Sequence, residues 1–267
     1  MEIKVADIIR SLPGTDTLPS DTVDGILYGS LDVIVSGVAV TFLATANYCK
    51  RAQELGCNLV ISHEGIWFSH RDQQPEQLIH SAIDQVYQRK RDLLQEHDLV
   101  IYRYHDGIHR ALPDRITAGL VAELGWQDLI IREEPAYSII ELKTSLGELI
   151  QHIKNSLGLS YVRYIGSEKS TIRRVLIAVG YRGSGSLILP LIQREAIDLV
   201  IYGEGPEWEI PEHIRDANDF GINRSLIIIG HGASESPGIK LLTAELTDRF
   251  RSIPIRYLPF ENPILIG

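Results

Sequence analysis

Residues 197–235, IDLVIYGEGPEWEIPEHIRDANDFGINRSLIIIGHGASE, decide the fold. They open on IDLVIY (197–202), a nearly continuous apolar run of the kind a strand buried on both faces carries. Residues 211–220 then read as a helix closed by Gly221. SLIII (225–229) is a second buried strand. Strand, helix, strand implies a parallel sheet covered by helices.

Working outward, the same alternation fills the chain. Upstream lie strands at 32–40, 57–62 (CNLVIS) and 98–102 (DLVIY). Helices are predicted at 42–55, closed by Gly56, at 75–97 and at 114–124. A short amphipathic helix with Ile3, Ile8, Ile9 and Leu12 precedes them. The middle offers a helix at 144–157, strands at 160–165 and 174–179, and a short helix at 186–194. A helix at 237–250 and a strand at 253–258 end the series. The expectation is an α/β protein of two α/β lobes with mostly parallel sheets. The seam is placed in WQDLIIREEPAY (126–137), which makes the lobes 1–130 and 131–267, with the C-terminal segment a candidate to return to the first.

Composition narrows the partners. The 267 residues carry 26 Lys plus Arg against 35 Asp plus Glu, a net charge of −9. Such a surface repels phosphate backbones, so no nucleic-acid partner is expected. Cys49 and Cys57 make neither a disulfide framework nor a CxxC pair, which fits a reducing compartment. No apolar run approaches the roughly 20 residues a bilayer needs, and the N-terminus lacks a signal-peptide core. The expectation is a cytoplasmic protein with no membrane contact.

Ligands of parallel α/β sheets gather beyond the carboxyl ends of strands. Four such ends carry chemistry. CNLVIS runs into His63, Glu64 and Gly65; DLVIYRY runs into His105, Asp106, Gly107, Ile108 and His109. IDLVIY runs into Gly203, Glu204 and Gly205, and SLIIIG runs into His231 and then Glu235. Imidazole with carboxylate is the donor mix of Zn, Mn or Fe. Any one of these histidines taken singly is more often a hydrogen-bonded loop residue; their shared sheet edge gives them weight. Ser236-Pro237 reads as an N-cap and first helical position, which leaves His231 and Glu235 in the preceding loop. His70, His80, His97, His152 and His213 read as solvated. YRGSGS (181–186) is either an anion cradle of backbone N–H groups or a tight turn into a helix.

Taken in order, these pieces resemble the NGG-interacting-factor-three-like (Nif-three-like) dinuclear metal family, whose members are known as GTP cyclohydrolase I type 2 homologues. The resemblance runs through DTVDGILYG (21–29), NLVISHEGIWF (58–68), 104–109, 179–186 and 198–204. It ends on GHGASE (230–235), where the family has Gly-His-x-x-x-Glu. Two positions depart: His63-Glu64 stands for the family's His-His, and His105 to His109 for its His-x-x-x-Asp. The resemblance implies two divalent ions per chain (Zn, Mn or Fe) in a cleft between lobes, within a homo-hexamer. One ion would be held by His63 and His231 and the other by Glu64 and His109, with Glu235 bridging. His105 would serve as an acid–base group and Glu204 would orient a ligand or water. The implied activity is metal-dependent hydrolysis of a small substrate through a metal-bridging hydroxide. Arg103, Arg110 and Arg182 are candidate acceptors of an anionic substrate such as a phosphate, and surface arginines otherwise. The alternative is a non-catalytic metal-binding assembly or regulatory protein.

Overall fold

The computed structural model describes residues 2–71 and 84–266. Its strands are β1 (Gly25–Tyr28), β2 (Val38–Thr41), β3 (Leu59–Ser62), β4 (Val100–Arg103), β5 (Ile130–Glu134), β6 (Tyr137–Ser145), β7 (Arg163–Ile165), β8 (Thr171–Ala178), β9 (Leu199–Tyr202), β10 (Ser225–Ile228) and β11 (Ile255–Leu258). Its helices are α1 (Val5–Arg10), α2 (Ala46–Glu54), α3 (Gln85–Glu96), α4 (Asp106–Arg110), α5 (Arg115–Glu123), α6 (Leu146–Leu157), α7 (Gly185–Arg194), α8 (Ile210–Asp219) and α9 (His231–Arg249). The chain forms two units, Met1–Ala111 with Ile239–Glu261, and Leu112–Gly238 with Asn262–Gly267.

The first unit is built on a sheet in the order β1-β4-β3-β2-β11. β4, β3, β2 and β11 pair in parallel, and β1 joins β4 antiparallel. Every residue of β2, β3 and β4 is buried. Covering on both faces explains why these segments read as unbroken apolar runs rather than alternations. Val60, Ile101, Leu94, Leu99 and Trp67 join one core cluster there. The Thr45 hydroxyl caps α2 by accepting from the Tyr48 N–H at 3.2 Å, and the Asp84 carboxylate caps α3 through the Val86 N–H at 2.8 Å. The helix predicted from residue 75 is described only from Gln85; residues 72–83, with His80, lie outside the described residues.

The second unit has the order β5-β6-β8-β9-β10-β7. Only β8, β9 and β10 are mutually parallel; β5, β6 and β7 pair antiparallel. The sheets are therefore mixed: the first is parallel but for its edge strand β1, and the second has a parallel centre with antiparallel strands on both sides. The 126–137 stretch is not a linker. It supplies β5 and the turn into β6, and the exposed Ile131, Arg132 and Glu133 of that strand leave no buried run to recognise. The division falls at Ala111/Leu112 instead, because α5 engages the second unit. Asp114, which caps α5, lies 2.7 Å from Arg182, and His152 Nε2 lies 2.8 Å from the Leu124 carbonyl.

Helix α9 starts six residues earlier than Ser236-Pro237 predicts, and Pro237 sits inside it. The first turn is held by contacts that a proline cannot announce. The Ser234 N–H donates to the Gly230 carbonyl at 3.0 Å, and the Ser234 hydroxyl donates to the His231 carbonyl at 2.7 Å while accepting from the Gly180 N–H at 2.9 Å. Among the described residues no helix is long and apolar enough to cross a membrane.

Both cysteines are free and buried. Burial pushes the Cys49 thiol up to about 11 and raises Cys57 as well. The thiolate is the reacting form, so neither should alkylate with iodoacetamide at neutral pH in the folded protein, and both should in denaturant. Intact-mass spectrometry reads the outcome, and a labelled folded chain would refute it.

Candidate metal centre

In the first unit, parallel pairing of β3 and β4 brings their carboxyl ends side by side. The turn after β3 is pinned by Ser62, whose hydroxyl accepts from the Ala44 N–H at 3.0 Å and donates to the Glu64 carbonyl at 2.7 Å. His63 leaves this turn buried, with Nδ1 3.0 Å from the Tyr104 carbonyl. A carbonyl only accepts, so Nδ1 carries the proton and the ring lone pair lies on Nε2.

His105 is the N-cap of the short helix α4, and His109 lies within it. The Asp24 carboxylate fixes its start by accepting the N–H groups of His105 (2.7 Å), Asp106 (2.7 Å) and Gly107 (2.8 Å). Asp106 in turn accepts from the Thr22 hydroxyl (2.9 Å) and the Val23 N–H (3.1 Å), and its other oxygen lies 3.0 Å from His105 Nδ1. The hydrogen bond from His105 holds the Asp106 carboxyl well below the usual carboxylate range. Burial, the larger cause, pushes His105 below the ordinary histidine value against that bond.

The rings of His63 and His105 stack at 4.7 Å and 17°, and His109 meets them edge-on at 5.2 and 5.1 Å. One nitrogen from each of the three lies within 4.8 Å of the others. Glu64, His70 and His105 form a second group by the same measure. Among the described residues no group holds both Glu64 and His109, but Glu64 lies within the same reach of both His63 and His105, the two histidines that group with His109. His70, expected to be merely solvated, belongs to this cluster although exposed. Arg103 is no surface acceptor. It is fully buried, with Nη2 2.8 Å from Glu64 Oε2, and it donates to the carbonyls of His70 (2.5 Å) and His63 (3.4 Å).

In the second unit, His231 and Glu235 occupy one turn of α9, with Nε2 3.1 Å from Oε2. Glu204, beyond β9, lies 2.8 Å from His231 Nδ1. Glu235 is buried. Gly180, at φ +60°, passes so close that a Cβ there would collide with Glu235 Oε1 and stand 3.3 Å from His231 Nε2. A Cβ on Gly203 would lie 2.5 Å from both the Gly180 carbonyl oxygen and the Ser234 hydroxyl. The glycines of VGYRG and YGEG therefore let the loops after β8 and β9 close on the start of α9.

The YRGSGS turn does lead into a helix, α7, with Ser184 at its N-cap. Its N-terminal N–H of Gly185 donates to Glu209 Oε2 at 2.5 Å, so an internal carboxylate occupies the cradle. Arg182 is committed to Asp114, while Arg110 is exposed. Sequence reasoning missed Asp24, Asp106 and Arg103 as the framework of the cluster. The signal for the first was DTVDG, which carried the resemblance there but suggested no contact to residues eighty positions on.

The sequence model of the Duf34/NIF3 (NGG1p interacting factor 3) family matches residues 4–263, and the chain belongs to that family. A GTP cyclohydrolase 1 type 2 homolog of Clostridium perfringens (strain 13 / Type A) is 25% identical over 240 residues, covering 85% of this chain and 84% of its own. The crystal structure of a Staphylococcus aureus hypothetical protein superposes with a TM-score of 0.80 at 19% identity, covering 100% of each chain. That of a Bacillus cereus protein related to NIF3 does so at 0.76 and 14% identity, covering 98% of each. The resemblance read from the motifs is thereby borne out as a family and as a fold.

Proposed function

We propose that this protein binds two divalent cations through its histidine–carboxylate clusters and acts as a metal-dependent hydrolase on a small substrate. The observation that carries the reading is the convergence of His63, His105 and His109, three imidazole nitrogens within 4.8 Å. The donor chemistry fits a cation. His63 and His105 each have Nδ1 against an acceptor, and His231 has Nδ1 against Glu204, which is how ligating imidazoles are held in metal sites. His63, Glu64, His109, His231 and Glu235 are the proposed ligands, with His105 within reach of His63 and His109. A divalent ion held there supplies a Lewis acid for water and for a substrate oxygen. The protein's own residues orient the rings: Tyr104 that of His63, Asp106 that of His105 and Glu204 that of His231. A homo-hexamer, a small-molecule substrate and a cytoplasmic location belong to the same proposal. The name of the Clostridium perfringens relative makes GTP the first substrate to try.

One observation favours a second reading, metal binding without catalysis. The anion acceptors that the sequence offered are largely used internally: Arg103 by Glu64, Arg182 by Asp114, and the α7 N-terminus by Glu209.

The test is protein purified without chelator, reloaded with Zn, Mn or Fe, and assayed both for metal content and for turnover of GTP, other nucleotides and phosphoesters. Two ions per chain, with hydrolysis lost on chelation and restored on reloading, is the expected result. Metal content no higher than that of a histidine-free control overturns the reading. Ions without turnover on any substrate leave the second reading standing.

A further inference from the structure

We propose that Phe42 and Phe260 form an aromatic wall beside the histidine cluster of the first unit, and that this wall takes a planar aromatic or heteroaromatic ring of the substrate. The inference rests on the metal-binding reading above and narrows its small substrate to a ring compound whose polar group reaches the ion.

Three observations carry it. The first is the order of the sheet. β4, β3, β2 and β11 are neighbours that run parallel, so their carboxyl ends lie in a row. His105 lies beyond β4, His63 follows β3, Phe42 follows β2 and Phe260 lies just beyond β11. The rings continue in the same order: His105 to His63 at 4.7 Å, His63 to Phe42 at 6.3 Å, and Phe42 to Phe260 at 5.2 Å. Ligands of parallel sheets gather at this edge. One half of the row offers nitrogen and the other aromatic carbon, which is the mix of a few polar groups on an apolar wall that small-molecule sites use.

The second observation is exposure. Thr41 and Leu258, the last residues of β2 and β11, are buried, as are Trp67 and Tyr104 in the turns after β3 and β4. Phe42 and Phe260 are only partly buried. They meet edge to face, at 80°, which leaves ring surface for a third ring to join. The third observation is the way Phe260 is held. The Tyr48 hydroxyl donates to the Pro259 carbonyl at 2.6 Å and accepts the Glu261 N–H at 3.0 Å, so one buried side chain of α2 pins both neighbours of Phe260. Tyr48 is thus a positioning residue for a ring that lies past the end of its strand. A wall fixed in advance loses little freedom when a ligand ring meets it.

The test uses the full chain with 4-fluorophenylalanine at its five phenylalanine positions, so that ¹⁹F spectra report on each ring. Phe42→Leu and Phe260→Leu assign the two signals, and thermal melts check that each variant is folded. Guanosine and nicotinamide are the aromatic probes; ribose 5-phosphate and glycerol 3-phosphate are the polar ones. All four are added to metal-free and to Zn²⁺-loaded protein. At least one aromatic probe should move the Phe42 and Phe260 signals together in both forms, leaving that of the exposed Phe220 in place, and the phosphates should move neither. Each leucine variant should weaken that binding about 5–150-fold, the loss of one ring stacked on a base. Tyr48→Phe, which removes only the hydroxyl, should weaken it less than Phe260→Leu does. Signals unmoved by both aromatic probes, or moved equally by ribose 5-phosphate, overturn this inference, and zinc bound in the same samples shows that the metal-binding reading survives it. Ring shifts in a protein that takes up no zinc overturn the metal-binding reading and leave the wall as a ring-binding site.

Discussion

Replacing Arg103 with methionine is expected to destabilise the first unit by about 3–5 kcal/mol, the scale for removing one partner of a buried ion pair. The arginine has no exposed side-chain surface, and Glu64 retains 17%, so partial hydration of the carboxylate pulls the expectation towards the lower end. The loss has a second source. The guanidinium also holds the carbonyls of His63 and His70, so the turn after β3 loses its tie to the end of β4. The double change Arg103→Met with Glu64→Gln should recover part of the loss, because the orphaned charge is gone while the carbonyl contacts are still missing. Denaturant unfolding of the four proteins in this cycle measures it. A cost for Arg103→Met below about 1 kcal/mol, the range of exposed pairs, would show that the pair is not buried in solution.

Gly180→Ala is expected to be comparably severe. An L-residue in the left-handed region costs about 1–2 kcal/mol, and forcing an extra carbon into a filled site adds about 1–3 kcal/mol. The obstacle here is Glu235 Oε1, on a buried side chain with little room to retreat. Gly125→Ala provides the comparison. It shares the positive φ, at +70°, but nothing lies within 4 Å of its added carbon. The difference between the two variants isolates the collision, and only Gly180→Ala should also weaken cation binding at His231 and Glu235. Equal stability losses with unchanged metal content would show that the approach of Gly180 to Glu235 is not tight.

What could be read from the sequence follows from burial. β3, β4, β9 and β10 are covered on both faces, and four consecutive buried residues announce a strand without any partner being known. β1 and β5 were missed because they are partly exposed strands that pair antiparallel at the ends of their sheets, and β6 was missed although Tyr137 to Ile140 are buried, because its second half is largely unburied and runs straight into the capping Ser145 of α6. The strand-end histidines were legible as a set because parallel pairing places strand ends together. Their internal arrangement was not. That Glu64 is held by Arg103 depends on a guanidinium arriving from the neighbouring strand, and an arginine two positions before His105 looks the same in sequence whether it is buried or exposed. The start of α9 misled for a different reason. Ser-Pro is a strong local start signal, yet here the serine and proline fall within a helix whose first turn is secured from Gly180, more than fifty residues away.

The sheet of the first unit carries a consequence for the order in which the protein is made. β2 is bordered on one side by β3 and on the other by β11, whose residues 255–258 are translated after every other strand of the two sheets. Until then Val38, Ala39 and Val40, all fully buried in the finished protein, form an open edge with unpaired backbone groups. A chain emerging from the ribosome thus completes its second sheet before it can close its first. Such an edge invites pairing with another nascent chain. Ribosome-stalled chains ending before residue 255 should therefore aggregate or recruit chaperones, and those extended past residue 261 with enough spacer to clear the exit tunnel should not.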